Sequence, residues 1–234
     1  MKEILVIFFL LFSLASNGQR GMWKPFKLVV IQPDTAIIST SLFNEKDSIV
    51  ATQLKRYYQS VDLMEKLINC IGCPRDSGDT EKMKQELVRL KSYENEAKKF
   101  KYFHLISSYS TEVYNFYFNE YEPFSNIIEL PNQKTDITTL KTLADTSQAD
   151  YVVYYSNIHS VDKDGLVTLK LTTSLYSKKE NKIILTKETE GDTDSRGDMW
   201  TCGSTTLSCL LINGVRTSTD EIANTLRQRQ IRQK

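Results

Sequence analysis

The run LVTLKLTTSLY at residues 166–176 places mainly apolar and mainly polar side chains on opposite sides of an extended chain. One side carries Val167, Leu169, Leu171, Thr173 and Leu175, and the other carries Thr168, Lys170, Thr172, Ser174 and Tyr176. A period of two is typical of a β-strand that buries one face and leaves the other in water. The chain must therefore build a sheet and cover one of its faces.

Segments on either side of this run extend the sheet. The segment ADYVVYYSNI, residues 149–158, is almost continuously apolar, as expected for a central strand. The turn DKDG joins it to the alternating run, and SKKENK turns the chain again into IILTKETE, residues 183–190. Short turns of this kind connect antiparallel neighbours, so the pattern predicts a three-strand antiparallel meander.

Other elements are predicted before and after the meander. Leu28–Ile31 form a β-branched apolar run that Pro33 stops, and NIIEL at 126–130 is a second short strand. Asp136 precedes an apolar periodic pattern and is expected to cap a short helix. The sequence STDE at 218–221 has the form of a capping box, which predicts the start of the last helix after a polar loop.

A helical hairpin is predicted between the first two strands. Apolar residues from Val50 to Ile68 recur alternately every four and three positions, the spacing of a helical seam. A second helix begins at Asp79 or Thr80, and its apolar face is formed by Met83, Leu87, Leu90 and Ala97. The short connection favours an antiparallel hairpin within one chain, while a two-chain coiled coil would show the same pattern.

The segment from Tyr102 to Tyr121 is rich in aromatic residues, and its spacing favours a helix that Pro123 ends. The alternation of Tyr114, Phe116 and Phe118 would also suit a strand, which is the alternative. The segment carries more ring surface than one helix face needs, and tyrosine and phenylalanine clusters are common at the centre of interfaces. Tyr114, Tyr117 and Tyr121 are therefore candidate partner-binding residues. Aromatic stripes also fill cores, so the alternative is that these rings pack between the hairpin and the sheet.

Together these elements predict one domain of the α/β (α+β) class over residues 19–234. We expect a mixed sheet with a C-terminal antiparallel meander, packed by helices. A helical insertion is expected at about residues 70–122.

The first residues have the composition of a secretory signal peptide, residues 1–18. The apolar run from Ile4 to Ala15 is too short for a membrane span of about 20 residues. Ser16 and Gly18 are the small residues expected before a cleavage site. We expect a periplasmic or secreted protein without a transmembrane segment after cleavage, and an uncleaved anchor is the alternative.

The chain has four cysteines, an even number that favours disulfides in an oxidising compartment. Cys70 and Cys73 form a C-x-x-C motif, and Cys202 and Cys209 lie close together, so local pairing is the simplest of the possible connectivities. A zinc site would want a second C-x-x-C or a nearby histidine. A redox centre would place the motif at a helix start, whereas here it follows a helical pattern. The sequence favours structural disulfides over these two alternatives.

Sequence motifs of a named reaction are missing. His104 and His159 are the two histidines, and neither has the spacing of a metal site. The net charge of +1 selects neither nucleic acid nor an acidic partner. We therefore expect no catalytic residues, no metal and no cofactor, although a carboxylate pair assembled by folding leaves no trace in sequence spacing.

The segment that runs from IIELPNQ at residue 127 to NKIIL at residue 185 resembles a group of bacterial envelope proteins. These are the lipoprotein activators of penicillin-binding proteins, the curli-secretion lipoprotein and the amino-terminal domain of the Tol-Pal propeller protein. LADTSQADYVV and LVTLKLTTSLY match the part of their pattern that leads from a helix into a hairpin, and FKLVVIQP matches the opening strand. The resemblance implies an envelope α/β domain, and its motifs are structural rather than catalytic.

The sequence thus predicts a non-enzymatic exported envelope protein that acts as a binding or assembly module for another envelope protein. The alternative is an exported thiol-disulfide enzyme or a hydrolase of unrecognised type. That alternative rests on the C-x-x-C motif and on carboxylates that cannot be paired from the sequence. A reducible Cys70 with a low thiol pKa would distinguish the thiol enzyme.

Overall fold

The structure is a computed structural model that describes residues 25–70, 77–119, 125–193 and 202–231. The predicted signal peptide, Cys73 and Tyr121 lie outside these residues.

A five-stranded mixed sheet forms the centre of the domain. Its strands are β1 Lys27–Ile31, β2 Asn126–Leu130, β3 Tyr151–Lys163, β4 Leu166–Ser177 and β5 Lys182–Gly191, in the spatial order β2-β1-β3-β4-β5. Strand β1 is parallel to both of its neighbours, whereas β3, β4 and β5 are antiparallel to one another in turn. The predicted α/β class, the mixed sheet and the C-terminal meander are confirmed.

Local sequence explains where these strands lie. Strand β1 is central because Leu28, Val29 and Val30 are fully buried on alternating faces, as a parallel strand covered on both sides requires. Asp164 and Gly165 have φ angles of 55° and 80° at the turn between β3 and β4. Two successive residues with positive φ are the requirement of a type I′ hairpin turn, which the sequence DKDG meets.

The described part of the chain contains six α-helices. They are α1 Phe43–Ile68, α2 Ser77–Ser92, α3 Glu94–Lys98, α4 Leu105–Asn119, α5 Ile137–Thr146 and α6 Leu207–Ile231. Asp136 caps α5 as predicted, since its carboxylate accepts a hydrogen bond of 3.0 Å from the amide of Thr139. The aromatic segment forms α4, so the prediction of a helix there is confirmed. Within the described residues, none of these helices is both long and apolar enough to cross a membrane.

The predicted start of the last helix is wrong. Helix α6 begins at Leu207, so Ser218–Glu221 lie in its middle instead of capping it. Apolar residues continue the buried face upstream, through Leu207, Leu210 and Val215. The Thr219 hydroxyl donates to the carbonyl oxygen of Val215 inside the helix, so a residue that favours caps is satisfied without ending the helix.

Helices cover the two faces of the sheet unequally. Helices α4 and α6 pack on one face and form the main core with alternate residues of β1, β3 and β4. Helix α5 packs on the other face, where Leu140 and Ala144 meet Val29, Val152 and Tyr176 in a smaller cluster. The aromatic helix α4 is therefore a core element of the domain.

Strand β5 ends in direct backbone contact with α6. A Cβ atom added at Gly191 would lie 2.0 Å from the carbonyl oxygen of Leu210 and 2.6 Å from the backbone nitrogen of Gly214. Only glycine leaves room for that approach. The Gly191 and Gly214 pair therefore fixes how closely α6 lies on the sheet.

Candidate functional site

The helices between residues 51 and 99 stand apart from the cores of the domain. Among the described side chains of residues 51–99, none belongs to either core cluster. Helix α1 has 26 residues and is about 39 Å long at 1.5 Å per residue. We call residues 51–99, which comprise most of α1 together with α2 and α3, the helical arm.

The arm is held together by its own seam. The Tyr57 hydroxyl donates to the carbonyl oxygen of Leu90 at 3.2 Å, and the Lys91 ammonium pairs with Glu65 at 2.6 Å. The apolar seam residues remain partly exposed, and α1 contains no buried residue at all. The predicted hairpin within one chain is therefore present, but only one layer of helices covers the seam.

Large apolar side chains lie outside the seam of the arm. The exposed fraction is 58% for Leu63, 70% for Val88 and 43% for Tyr58. These residues were missed at the sequence level, although Leu63 and Val88 fall off the spacing of the seam, which was the available signal. The arm therefore exposes apolar side chains on both α1 and α2.

The base of the arm is anchored to the body of the domain. Leu42 is 3% exposed, and Ile49 and Val50 pack against the main core. The Glu45 carboxylate accepts a hydrogen bond from the amide of Leu207, the first residue of α6. The arm therefore begins from a fixed point at the N-terminus of α6.

Five buried hydroxyl groups form hydrogen bonds between the helices and the sheet, as a chain of three and a separate pair. They belong to Ser110 and Tyr114 on α4, Tyr155 on β3, Thr173 on β4 and Ser218 on α6. In the chain, which we call the hydroxyl chain, Ser110 lies 2.5 Å from Tyr155, and Tyr155 lies 2.7 Å from Tyr114. In the pair, Thr173 donates to Ser218 at 2.8 Å.

The protons of this hydroxyl chain can run in one direction only. Ser110 donates to the carbonyl oxygen of Ile106 at 2.6 Å, so Tyr155 must donate to Ser110 and Tyr114 must donate to Tyr155. Burial raises the pKa of Tyr114 well above its usual value and also raises the pKa of Tyr155. Both rings are therefore neutral donors, as the chain requires.

The hypothesis that Tyr114 binds a partner is wrong. Its ring is completely buried, and its hydroxyl belongs to the internal chain, so it is a core residue. Tyr117 is partly buried against the main core, and its hydroxyl accepts a hydrogen bond of 3.3 Å from Arg227. Tyr121 lies outside the described residues. For Tyr114, the core alternative holds, because α4 packs between the sheet and α6.

A second polar cluster lies at the carboxyl ends of the parallel strands β1 and β2. Glu129 accepts hydrogen bonds from the Ser107 hydroxyl at 2.6 Å, the Ser108 hydroxyl at 3.3 Å and the Gln32 amide at 2.8 Å. Ser107 and Ser108 are in the first turns of α4, where the helix dipole favours a carboxylate. The hydrogen bonds of Glu129 therefore hold α4 against β1 and β2. No sequence pattern predicted this cluster.

His104 lies beside this cluster without completing a proton relay. Its Nδ1 accepts a hydrogen bond of 3.3 Å from the amide of Lys101, so the ring proton is on Nε2. Burial lowers the pKa of His104, and the Glu129 charge opposes that shift in part. Ser107 contacts the backbone carbonyl of His104 rather than its ring. The arrangement suits positioning of α4 better than activation of a serine.

The cysteines are oxidised in the described part of the chain. Cys202 and Cys209 form a disulfide with their Cα atoms 5.7 Å apart, and Cys70 is also disulfide-bonded. Cys73, the predicted partner of Cys70, lies outside the described residues. Within those residues there is no cluster of three or more metal-ligating side chains.

Comparison with known proteins gives only distant likenesses. No family model and no curated protein matches the chain. A hypothetical protein of Chlamydia trachomatis is 10% identical over 54% of this chain and 86% of its own, with a TM-score of 0.34. A DUF330 protein of Xanthomonas campestris is 8% identical over 92% of this chain and 94% of its own, with a TM-score of 0.37. The LpoB C-terminal domain of Salmonella enterica is 10% identical over 75% of this chain and 90% of its own, with a TM-score of 0.23. Likenesses this distant leave the family and the function open.

Proposed function

We propose that this protein is a non-enzymatic binding or assembly module of the bacterial envelope, and that the helical arm is the element that contacts its partner. The proposal rests on one observation above all. The described residues 51–99 form most of α1 together with α2 and α3, and they contribute no side chain to either core. The body has its own sheet and its own two clusters, so the arm serves a purpose other than folding of the body.

The distribution of exposed apolar side chains supports the arm as the contact surface. Of the ten large apolar side chains that are exposed in the described part of the chain, five lie on the arm. They are Tyr58, Leu63, Leu67, Val88 and Tyr93. Apolar side chains on the outer face of a helix are the anchors by which such a helix docks into a groove of a partner.

Export and an envelope location are supported by the sequence. The predicted signal peptide places the chain outside the inner membrane, and the oxidised cysteines fit such a compartment. The sequence pattern from residue 127 to residue 185 adds the resemblance to envelope domains. These features favour another envelope protein as the partner, which this protein would bind without catalysing a reaction.

Site-specific photocrosslinking in cells that export the protein tests the proposal. A benzophenone amino acid replaces Leu63 or Val88 on the arm, and Leu166 on the turn between β3 and β4 is the matched control because it is 53% exposed. We expect one discrete crosslinked product from the arm positions and none from position 166. Equal products from all three positions, or a product from position 166 alone, would contradict the proposal.

A further inference from the structure

The disulfide of α6 lies where the arm is anchored. Cys209 is the third residue of α6 and is 2% exposed, while its partner Cys202 is partly exposed. Two residues before Cys209, the amide of Leu207 donates to the Glu45 carboxylate of the arm base. The disulfide and the anchor therefore share the first turn of one helix.

The side chain of Asn213 holds the Cys202 segment independently of the disulfide. Its Oδ1 accepts from the amide of Cys202 at 3.0 Å, and its Nδ2 donates to the carbonyl oxygens of Cys202 at 2.8 Å and Asp192 at 2.6 Å. Asn213 is 3% exposed, so these bonds are shielded from water. Cys202 would therefore stay close to Cys209 if the disulfide were opened.

We propose that the Cys202–Cys209 disulfide is a redox-sensitive latch of the helical arm, opened by a dithiol and closed again by oxidation. The latch would regulate the helical arm, and its biological meaning rests on the proposed function. The latch itself is a property of the free protein.

The chemistry follows from the difference in exposure. A thiolate of the dithiol attacks Sγ of Cys202, the more accessible sulfur, and a new S–S bond forms as the bond to Cys209 breaks. Cys209 leaves as a thiolate with the bonding electrons, and the N-terminal end of α6 stabilises that negative charge. The second thiolate of the dithiol then displaces Cys202. The dithiol ends as a disulfide, and two electrons and two protons reside on Cys202 and Cys209.

Loss of the disulfide changes the anchor of the arm. In the oxidised protein, the bond between Cys202 and Cys209 ties down the first turn of α6, whose first amide donates to the Glu45 carboxylate. After reduction, no covalent bond holds this first turn, whereas Asn213 binds the Cys202 segment from one turn further along the helix. The end of the helix frays more readily, so the contact between Glu45 and Leu207 weakens and the base of the arm loosens. Leu42, Ile49 and Val50 keep their apolar contacts, so the arm stays attached.

Hydrogen exchange of the oxidised protein, measured with and without dithiothreitol below the unfolding transition, tests the latch. We expect exchange of the amides in residues 43–50 to become about tenfold faster on reduction, as loss of one charge-assisted hydrogen bond predicts. The amides of α5 are the internal control and should keep their rates. In glutathione buffers, the trapped mixed disulfide should be on Cys202 rather than on Cys209.

The variant Glu45→Ala separates the latch from a general loosening of the protein. In that variant, residues 43–50 should exchange quickly in both redox states, because the anchor is already lost. A disulfide that is reduced only when the protein unfolds, or unchanged exchange of residues 43–50 after reduction, would overturn the latch. Since no partner is present in either measurement, failure here is distinct from failure of the arm as a binding element.

Discussion

The hydroxyl oxygens of Tyr114 and Tyr155 lie 2.7 Å apart in the core, and the two residues are 0% and 4% exposed. The contact joins α4 to the central sheet across 41 residues of sequence. The Tyr155 hydroxyl accepts from Tyr114 and donates to Ser110, so both bonds hold α4 on β3. The body that carries the arm is therefore specified by polar contacts as well as by apolar packing.

Removal of the Tyr155 hydroxyl from the middle of the hydroxyl chain should cost more than removal of the donor from the Thr173–Ser218 pair. Tyr155→Phe leaves the Tyr114 hydroxyl proton without an acceptor, which should lower the free energy of unfolding by about 1–3 kcal/mol. Thr173→Val removes a donor and strands no proton, so its effect should be smaller. Urea denaturation of the two variants measures the difference. Equal losses would show that the hydroxyl chain has no direction.

Alkaline pH should unfold the protein through its buried tyrosines. Burial raises the folded-state pKa of Tyr114 and Tyr155, whereas an unfolded tyrosine ionises near pH 10. A raised folded pKa gives stability that is complete below about pH 10 and is lost as pH rises toward the folded value. Urea denaturation between neutral pH and about pH 11 should show this loss.

The double variant Tyr114→Phe/Tyr155→Phe is the control for the alkaline loss. Burial also raises the pKa of Tyr102, Tyr109 and Tyr151, so some loss should remain in the variant. The slope of stability against pH above about pH 10 should nevertheless be shallower than in the unchanged protein. Parallel curves for the two proteins would count against the assignment.

Alanine at position 191 should prevent close packing of α6 on the sheet. The added Cβ would lie 2.0 Å from a backbone oxygen, which cannot move aside as a flexible side chain can. We expect a loss of about 3 kcal/mol or more in the free energy of unfolding, at the upper end for overpacking. Gly78→Ala is the matched control, because nothing lies within 4 Å of its added Cβ. A stable Gly191→Ala protein would refute the contact.

Loss of the Glu129 carboxylate should release the start of α4. Glu129→Ala leaves the Gln32 amide without its acceptor and leaves the buried Ser107 hydroxyl only the carbonyl oxygen of His104, at an expected cost of about 1–2 kcal/mol. Glu112→Ala removes an exposed carboxylate from the same helix and should stay within about 0.5 kcal/mol of the unchanged protein. Thermal unfolding compares the two variants, and similar melting temperatures would argue against the role of Glu129 in holding α4.

Elements with a strong local pattern could be predicted from the sequence. Strand β4 forms over Leu166–Ser177, where the alternating run predicts it, but its second face is also partly buried, with Tyr176 in the cluster that packs against α5. The predicted turn DKDG contains Asp164 and Gly165, which adopt the required positive φ angles. The seam of α1 follows the helical spacing from Val50 to Ile68. In each case, neighbours along the chain determine the outcome, so no knowledge of distant contacts is needed.

Features that depend on distant contacts could not be predicted. Tyr114 was assigned to a docking surface because α4 carries rings on several faces, and its partner Tyr155 is in a strand far along the sequence. The start of α6 was misplaced because Ser218 and Thr219 resemble a cap, while their hydroxyls are satisfied by Thr173 and Val215 within the core. A seam pattern also cannot tell a helix packed on the body from one packed only on its neighbour, so the isolation of the arm emerged only in three dimensions.

The binding role of the arm is tested most directly by the affinity of the crosslinked partner for the variant Leu63→Glu/Val88→Glu. Both side chains are exposed, so the melting temperature should not change, while binding should weaken by tenfold or more, about 1.4 kcal/mol, if they are contact anchors. Leu166→Glu makes the same chemical change on the body and should bind normally. Normal binding by the arm variant, or equal weakening by Leu166→Glu, would contradict the assignment of the arm as the partner-binding element.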